Sequence, residues 1–188
     1  MKLHQLPLIA ACLLGLGSAH ANFSGNLDPA LWSTSQTSGG NASAVVSGDL
    51  SSLTLTSADI TDPGSALWGN ASSLSYGLTF STPELLSFSW SYTSADDNGS
   101  SADPFGYTVN GVFTQLSTDG SWDAQSGSVS LQLNAGDSFA FTINSTDSIF
   151  GAGTATLSNV SAVPEPASWM LSLAGLGALA LRRRRARA

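Results

Sequence analysis

The chain has 188 residues, of which 10% are charged, and a formal net charge of -7. Its basic residues stand only at the ends, Lys2 at the start and Arg182, Arg183, Arg184, Arg185 and Arg187 at the finish, while His4, His20 and Cys12 all precede residue 22. Residues 22–162 thus carry twelve carboxylates and no Lys, Arg, His or Cys. That excludes phosphate neutralisation and nucleic-acid binding, imidazole or thiolate catalysis and metal ligation, Schiff bases and guanidinium clamps.

Residues 1–21 have the form of a secretory signal peptide: Lys2, a short apolar run from Leu6 to Leu16, then Ala19-His20-Ala21 with small residues where signal peptidase reads. Cleavage is expected between Ala21 and Asn22. A competing feature is Ile9-Ala10-Ala11-Cys12, a lipoprotein-like box that would lipidate Cys12 but leave the apolar stub Leu13 to Leu16 on the mature chain. With the cut before Asn22 the mature protein has no cysteine, so export is not used for disulfides.

Residues 22–162 show period-2 alternation and no extended helical stripe, which predicts strands with one buried face. In chain order, weaker runs at 44–46 and 53–55 precede two strong ones. Leu74, Tyr76, Leu78 and Phe80 alternate with Ser, Gly and Thr; Leu86, Phe88, Trp90 and Tyr92 alternate with Ser. Further runs are expected at 107–109, 112–116, 129–133, 139–143 and 154–160. Asn110-Gly111 signals a type I′ hairpin, and Asn134-Ala135-Gly136-Asp137 a second turn. Eight to ten short strands predict an all-β fold, an antiparallel, jelly-roll-like β-sandwich large enough to bury a core without disulfides. Without Lys its edge strands lack their usual protective charge. No fixed-period repeat is present, which argues against a long solenoid.

Three sets of residues could carry chemistry. The loop from Ala95 to Pro104 contains Asp96, Asp97, Asn98 and Asp103, oxygen donors suited to calcium, although their spacing is not that of an EF-hand and a solvated turn would use the same residues. Among the aromatics, Tyr76 and Trp90 fall on the apolar phase of strands and belong to the core. Trp68 and Trp122 lie among Gly, Asn, Asp and Ser, where a flat ring can stack on a sugar. Paired carboxylates for glycoside hydrolysis are available arithmetically; Glu84, the one Glu of this segment, would be the first suspect.

At the C-terminus Val163-Pro164-Glu165-Pro166 precedes fifteen uncharged residues, 167–181, and then the arginine tail 182–188. Fifteen helical residues reach about 22 Å, short of the ~30 Å hydrocarbon core, which suits a temporary transmembrane anchor with the arginines on the cytoplasmic side.

Pro164-Glu165-Pro166, a short apolar segment and an arginine-rich end, in that order, resemble the PEP-CTERM sorting signal of Gram-negative bacteria over residues 163–188. The resemblance implies that an exosortase recognises the Pro-Glu-Pro motif and removes the apolar helix and the arginine tail, and that the mature protein goes to the surface or to an exopolysaccharide matrix. The same tail occurs on proteins described as ice-binding, but it is an address and not an ice-binding surface. The organisation expected is therefore a signal peptide (1–21), a secreted sandwich (22–162) and a sorting segment (163–188). The function expected is non-enzymatic binding or organisation of exopolysaccharide, with calcium as the one candidate cofactor. A matrix protein without glycan affinity and a carboxylate-only glycoside hydrolase are the competing expectations.

Overall fold

The computed structural model describes residues 22–164. The expected signal peptide and the segment from Glu165 onward, including Glu165, Pro166, the expected transmembrane helix and the arginine tail, lie outside the described residues. Among the described residues no helix is long and apolar enough to cross a membrane.

Ten strands form two five-stranded antiparallel sheets. The first contains, in spatial order, β1 (Ser33–Gln36), β4 (Ser72–Thr79), β9 (Ser138–Ser145), β6 (Phe105–Val109) and β7 (Val112–Gln115). The second contains β2 (Ser43–Val46), β3 (Ser52–Thr56), β10 (Gly153–Pro164), β5 (Glu84–Ser94) and β8 (Gln125–Leu133). The alternation read from the sequence becomes register. Leu74, Tyr76 and Leu78 of β4 pair with Ile143, Phe141 and Phe139 of β9, and all six point inward, while the intervening Ser, Gly, Thr and Ala face out. Asn110 and Gly111 both have positive φ, at 50° and 82°, as a type I′ turn between β6 and β7 requires.

The core is aromatic and organised around Trp32, which ends a short turn ahead of β1. Its ring stacks on Tyr76 at 5.0 Å and on Phe141 at 5.6 Å, meets Phe23 edge-on at 5.8 Å, and donates its indole N–H to the Leu27 carbonyl at 3.0 Å. Phe88 from the second sheet meets Phe141 edge-on at 5.0 Å and so joins the two layers. Tyr76 is buried, as its phase requires, whereas Trp90 is half-buried and packs at 5.8 Å on Phe105.

Both outer faces are rich in hydroxyls. Across the second sheet Thr54, Thr156, Ser91 and Ser126 lie in one cross-strand row, and Ser52, Ser158, Ser89 and Ser128 in the next. Glu84 is the single charged side chain within any strand of the described residues; all other carboxylates sit in turns and loops. β10 continues through Val163 and Pro164, paired with Leu85 and Glu84, so the last strand runs two residues into the segment that resembles a sorting signal.

Replacing Trp32 by Ala removes the ring on which Phe23, Tyr76, Phe139 and Phe141 close. We expect a loss of about 3–5 kcal/mol in urea-unfolding stability, the range for deleting a buried aromatic side chain.

Candidate functional site

Two regions combine unusual geometry with polar side chains. The first is a groove of about 510 Å³ on the outer face of the first sheet. Its floor is Gly77, Ala140 and Thr108, its walls carry Ser33, Ser35, Ser75, Thr79 and Ser138, and Leu31 rises at one edge. These residues follow directly from register: Ser33 lies opposite Gly77, Gly77 opposite Ala140, and Ala140 opposite Thr108. Gly77 keeps the floor low, because a Cβ there would lie 2.6 Å from the Phe139 carbonyl oxygen and 2.7 Å from the Ala140 methyl. Beside it Thr142 joins Ser75 and Thr108 through hydroxyl contacts of 3.0 Å each, so three strands share one line of hydrogen-bonding groups. None of the lining residues is charged.

A second hollow of about 240 Å³ shares Leu31, Leu78 and Thr79 with the groove and ends at Glu84. Glu84 is buried, and its Oε1 accepts from Asn26 Nδ2 at 2.8 Å and Thr82 Oγ1 at 2.8 Å. Its other oxygen, Oε2, has no hydrogen-bond partner.

The second region is the opposite end of the sandwich, where the loops 57–71, 95–104, 116–124 and 146–152 gather. The four residues read as oxygen donors do not form one shell there. Asp103 is fully buried, with Oδ1 accepting from Ser57 Oγ at 2.7 Å and Oδ2 from Ser94 Oγ at 3.2 Å. Asp96 is also buried; its Oδ1 takes the Asn98 backbone N–H at 2.6 Å. Asn98 thus serves Asp96 through its backbone N–H, and its side chain also lies close enough to favour the charged carboxylate, while Asp97 is exposed. Among the described residues no three acidic, His or Cys side chains converge as a metal cage. Nor is the loop a solvated turn, since two of its three carboxylates are inside. Burial pushes the Asp103 carboxyl up to about 6, against the pull of Ser57, Ser94 and Ser145, and raises Asp96 as well. Burial likewise raises the phenol of Tyr92, whose OH donates to the Asp103 carbonyl at 2.6 Å. Asp49, by contrast, is exposed and accepts from Ser47 and Ser51, which hold it at about 2.

The two tryptophans also belong to this end. Trp122 is 69% exposed and lies over Gly99; Trp68 is half-buried in the loop between β3 and β4. Neither touches the groove, which the sequence pattern did not single out because its residues are small polar ones from four separate strands. The polar phase of those strands was the available signal.

Ala162, Val163 and Pro164 leave the fold at the Glu84 end, opposite the Asp96 loops. A family model described as the PEP-CTERM protein-sorting motif matches residues 162–186.

The chain carries a PEP-CTERM protein-sorting motif. The motif is typical of exported, surface-directed proteins and implies handling by the exosortase route. No curated protein matches the chain in sequence. Among solved structures, the chain is similar to TmCBM61 in complex with beta-1,4-galactotriose, at 9% identity over 77% of this chain and 95% of that one, with a TM-score of 0.41. It is similar to a family 16 carbohydrate binding module, at 16% identity over 67% and 87% of the two chains and a TM-score of 0.33. A family 35 carbohydrate binding module from Clostridium thermocellum matches at 12% identity over 66% and 90%, with a TM-score of 0.32.

The raised carboxyl of Asp103 makes a pH prediction whose sign is opposite to the usual acid denaturation. The folded protein holds a proton up to about pH 6 that the unfolded chain releases near 4, so stability rises as pH falls through that window. Thermal melts in a chelating buffer should show a higher Tm at pH 5 than at pH 7.5, and Asp103→Asn should flatten that slope.

Proposed function

We propose that this chain is an exported, non-catalytic surface or matrix protein that holds a neutral exopolysaccharide chain in the groove of its first sheet. The observation that carries the reading is the groove itself, an uncharged channel lined by hydroxyls from four neighbouring strands. Sugars present hydroxyls that both donate and accept, and Ser and Thr match them without the desolvation penalty of a charge. Twelve carboxylates and no cation between residues 22 and 162 repel acidic polymers, which favours a neutral polysaccharide over a uronate or sulfate one. The sorting motif supports the setting, since it directs the domain to where such polymers accumulate. Signal peptidase and exosortase are the partners during export, acting at the Ala21–Asn22 bond and near Pro164-Glu165-Pro166. During membrane anchoring the Glu84 end faces the bilayer and the Trp122 end faces away. The absence of His, Lys, Arg and Cys from residues 22–162 supports the non-catalytic part.

A second reading rests on one specific feature. The edge strand β7 is uncharged, and Val112 and Phe113 on it are 69% and 37% exposed. Such an edge is a template for pairing with another chain, as a matrix protein assembling without glycan would need. Sedimentation that shifts to dimers or larger species, and reverts in Phe113→Lys, would establish that reading.

Titration calorimetry with the host's own polysaccharide distinguishes the candidate surfaces. Ser35→Glu, a solvent-facing change in the groove wall, should weaken binding at least about tenfold while leaving the Tm within a few degrees. Trp122→Ala should leave affinity unchanged within about twofold. The reverse pattern would move the site to the loop end. Release of reducing ends that disappears in Glu84→Gln would make the protein a hydrolase and the non-catalytic reading wrong.

A further inference from the structure

The loop end poses an electrostatic problem that the domain's own side chains do not solve. Asp96 is 2% exposed, and its Oδ2 is buried without any hydrogen-bond partner. Burying an unpaired carboxylate oxygen is costly, and native proteins offset that with a donor or a cation. The segment 22–162 has no Lys, Arg or His to provide one. Protonation would remove the charge but would leave the hydroxyl on Oδ2 to find an acceptor of its own.

The surroundings of Asp96 add more negative charge. Asp97 and Asp147 lie close enough to act on it through space, and Asp96 acts in turn on Asp103. Asp147 belongs to the loop 146–152, which is clamped against this one: Ala95 N–H donates to the Ala152 carbonyl at 3.0 Å and Asp97 N–H to the Phe150 carbonyl at 3.2 Å. Ser148 and Phe150 hold φ of 58° and 69°, values that non-glycine residues adopt rarely. Strain and repulsion are thus concentrated around one orphaned oxygen.

We propose that the loop end binds a calcium ion, with Asp96 Oδ2 as the anchoring ligand and Asp147 as the second carboxylate. The remaining donors are backbone carbonyls, hydroxyls and water, which calcium accepts readily because it takes six to eight oxygen ligands in flexible geometry. The donor set contains no nitrogen or sulfur, which selects against zinc and copper, and its loose, loop-borne character selects against the strict octahedron of magnesium. Asp103 stands behind this shell and not in it, since Ser57 and Ser94 occupy its two oxygens. The site is independent of the glycan groove, which lies on the face of the first sheet.

The test uses the full chain, stripped of metal, at pH 7.5. Calcium should raise the Tm by several degrees with a midpoint of about 10⁻⁴–10⁻³ M, the range of extracellular calcium modules, and magnesium at equal concentration should do much less. Asp96→Asn should lose the calcium increment, whatever its own melting point without metal. Terbium luminescence gives a readout besides stability, with Trp122 and the buried Tyr92 as nearby sensitisers. Emission should appear in the parent, be displaced by calcium, vanish in Asp96→Asn and persist in Asp123→Asn, which alters an exposed loop acid. No Tm change and no emission up to about 10 mM would overturn the proposal, as would a response that survives in Asp96→Asn.

Discussion

The constraint on which the rest of this structure depends is that no Lys, Arg or His side chain lies between residues 22 and 162. Among the described residues every carboxylate must therefore be handled by neutral donors. In the turns this works without strain: Asp137 accepts from Asn110 and Asn134, which hold its carboxyl below the usual range, and Asp49 accepts from two serines. Inside, the same supply of hydroxyls is stretched. Asp103 obtains two serines and Glu84 obtains Asn26 and Thr82, but one oxygen of Glu84 and one of Asp96 remain unpartnered. Stability at one end of the sandwich is thereby coupled to pH and, on our proposal, to calcium.

The same constraint shapes the surface. Sheet faces of most soluble domains are dotted with Lys and Glu, whereas both outer faces here present ranks of Ser and Thr in cross-strand register. A neutral hydroxyl face repels nothing and attracts no charged partner strongly, so the domain's surface charge comes from the carboxylates in its loops. A groove in such a face is suited to a ligand made of hydroxyls. β10 ends at Pro164 beside Glu84, at the opposite end of the sandwich from the Asp96 loops, so the chain runs into the sorting motif away from the loop end.

Much of the fold was legible because alternation and register are the same information: once Leu74, Tyr76 and Leu78 point inward, Ser75 and Gly77 must point out. The hairpin at Asn110-Gly111 was equally open to reading. β1 was not, since Ser33-Thr34-Ser35-Gln36 has no apolar phase and becomes a strand only because Trp32 fixes its entry and β4 offers an unpaired edge. Candidate sites followed a similar division. Exposed Trp122 was identifiable from its neighbours, but the groove arises from residues brought together by pairing between strands far apart in the chain. The acidic loop was identifiable, yet the division of labour within it was hidden, because the donors that satisfy buried Asp103, Ser57 and Ser94, lie 46 and 9 residues away.

The most direct test of the central claim is a heteronuclear NMR titration of the ¹⁵N-labelled protein with a short oligosaccharide cut from the host's neutral exopolysaccharide. The account predicts shifts that cluster on Ser33, Ser35, Ser75, Gly77, Thr79, Thr108 and Ser138 and leave Trp68 and Trp122 unmoved. Shifts confined to the indoles of Trp68 and Trp122, or none at saturating sugar, would contradict it.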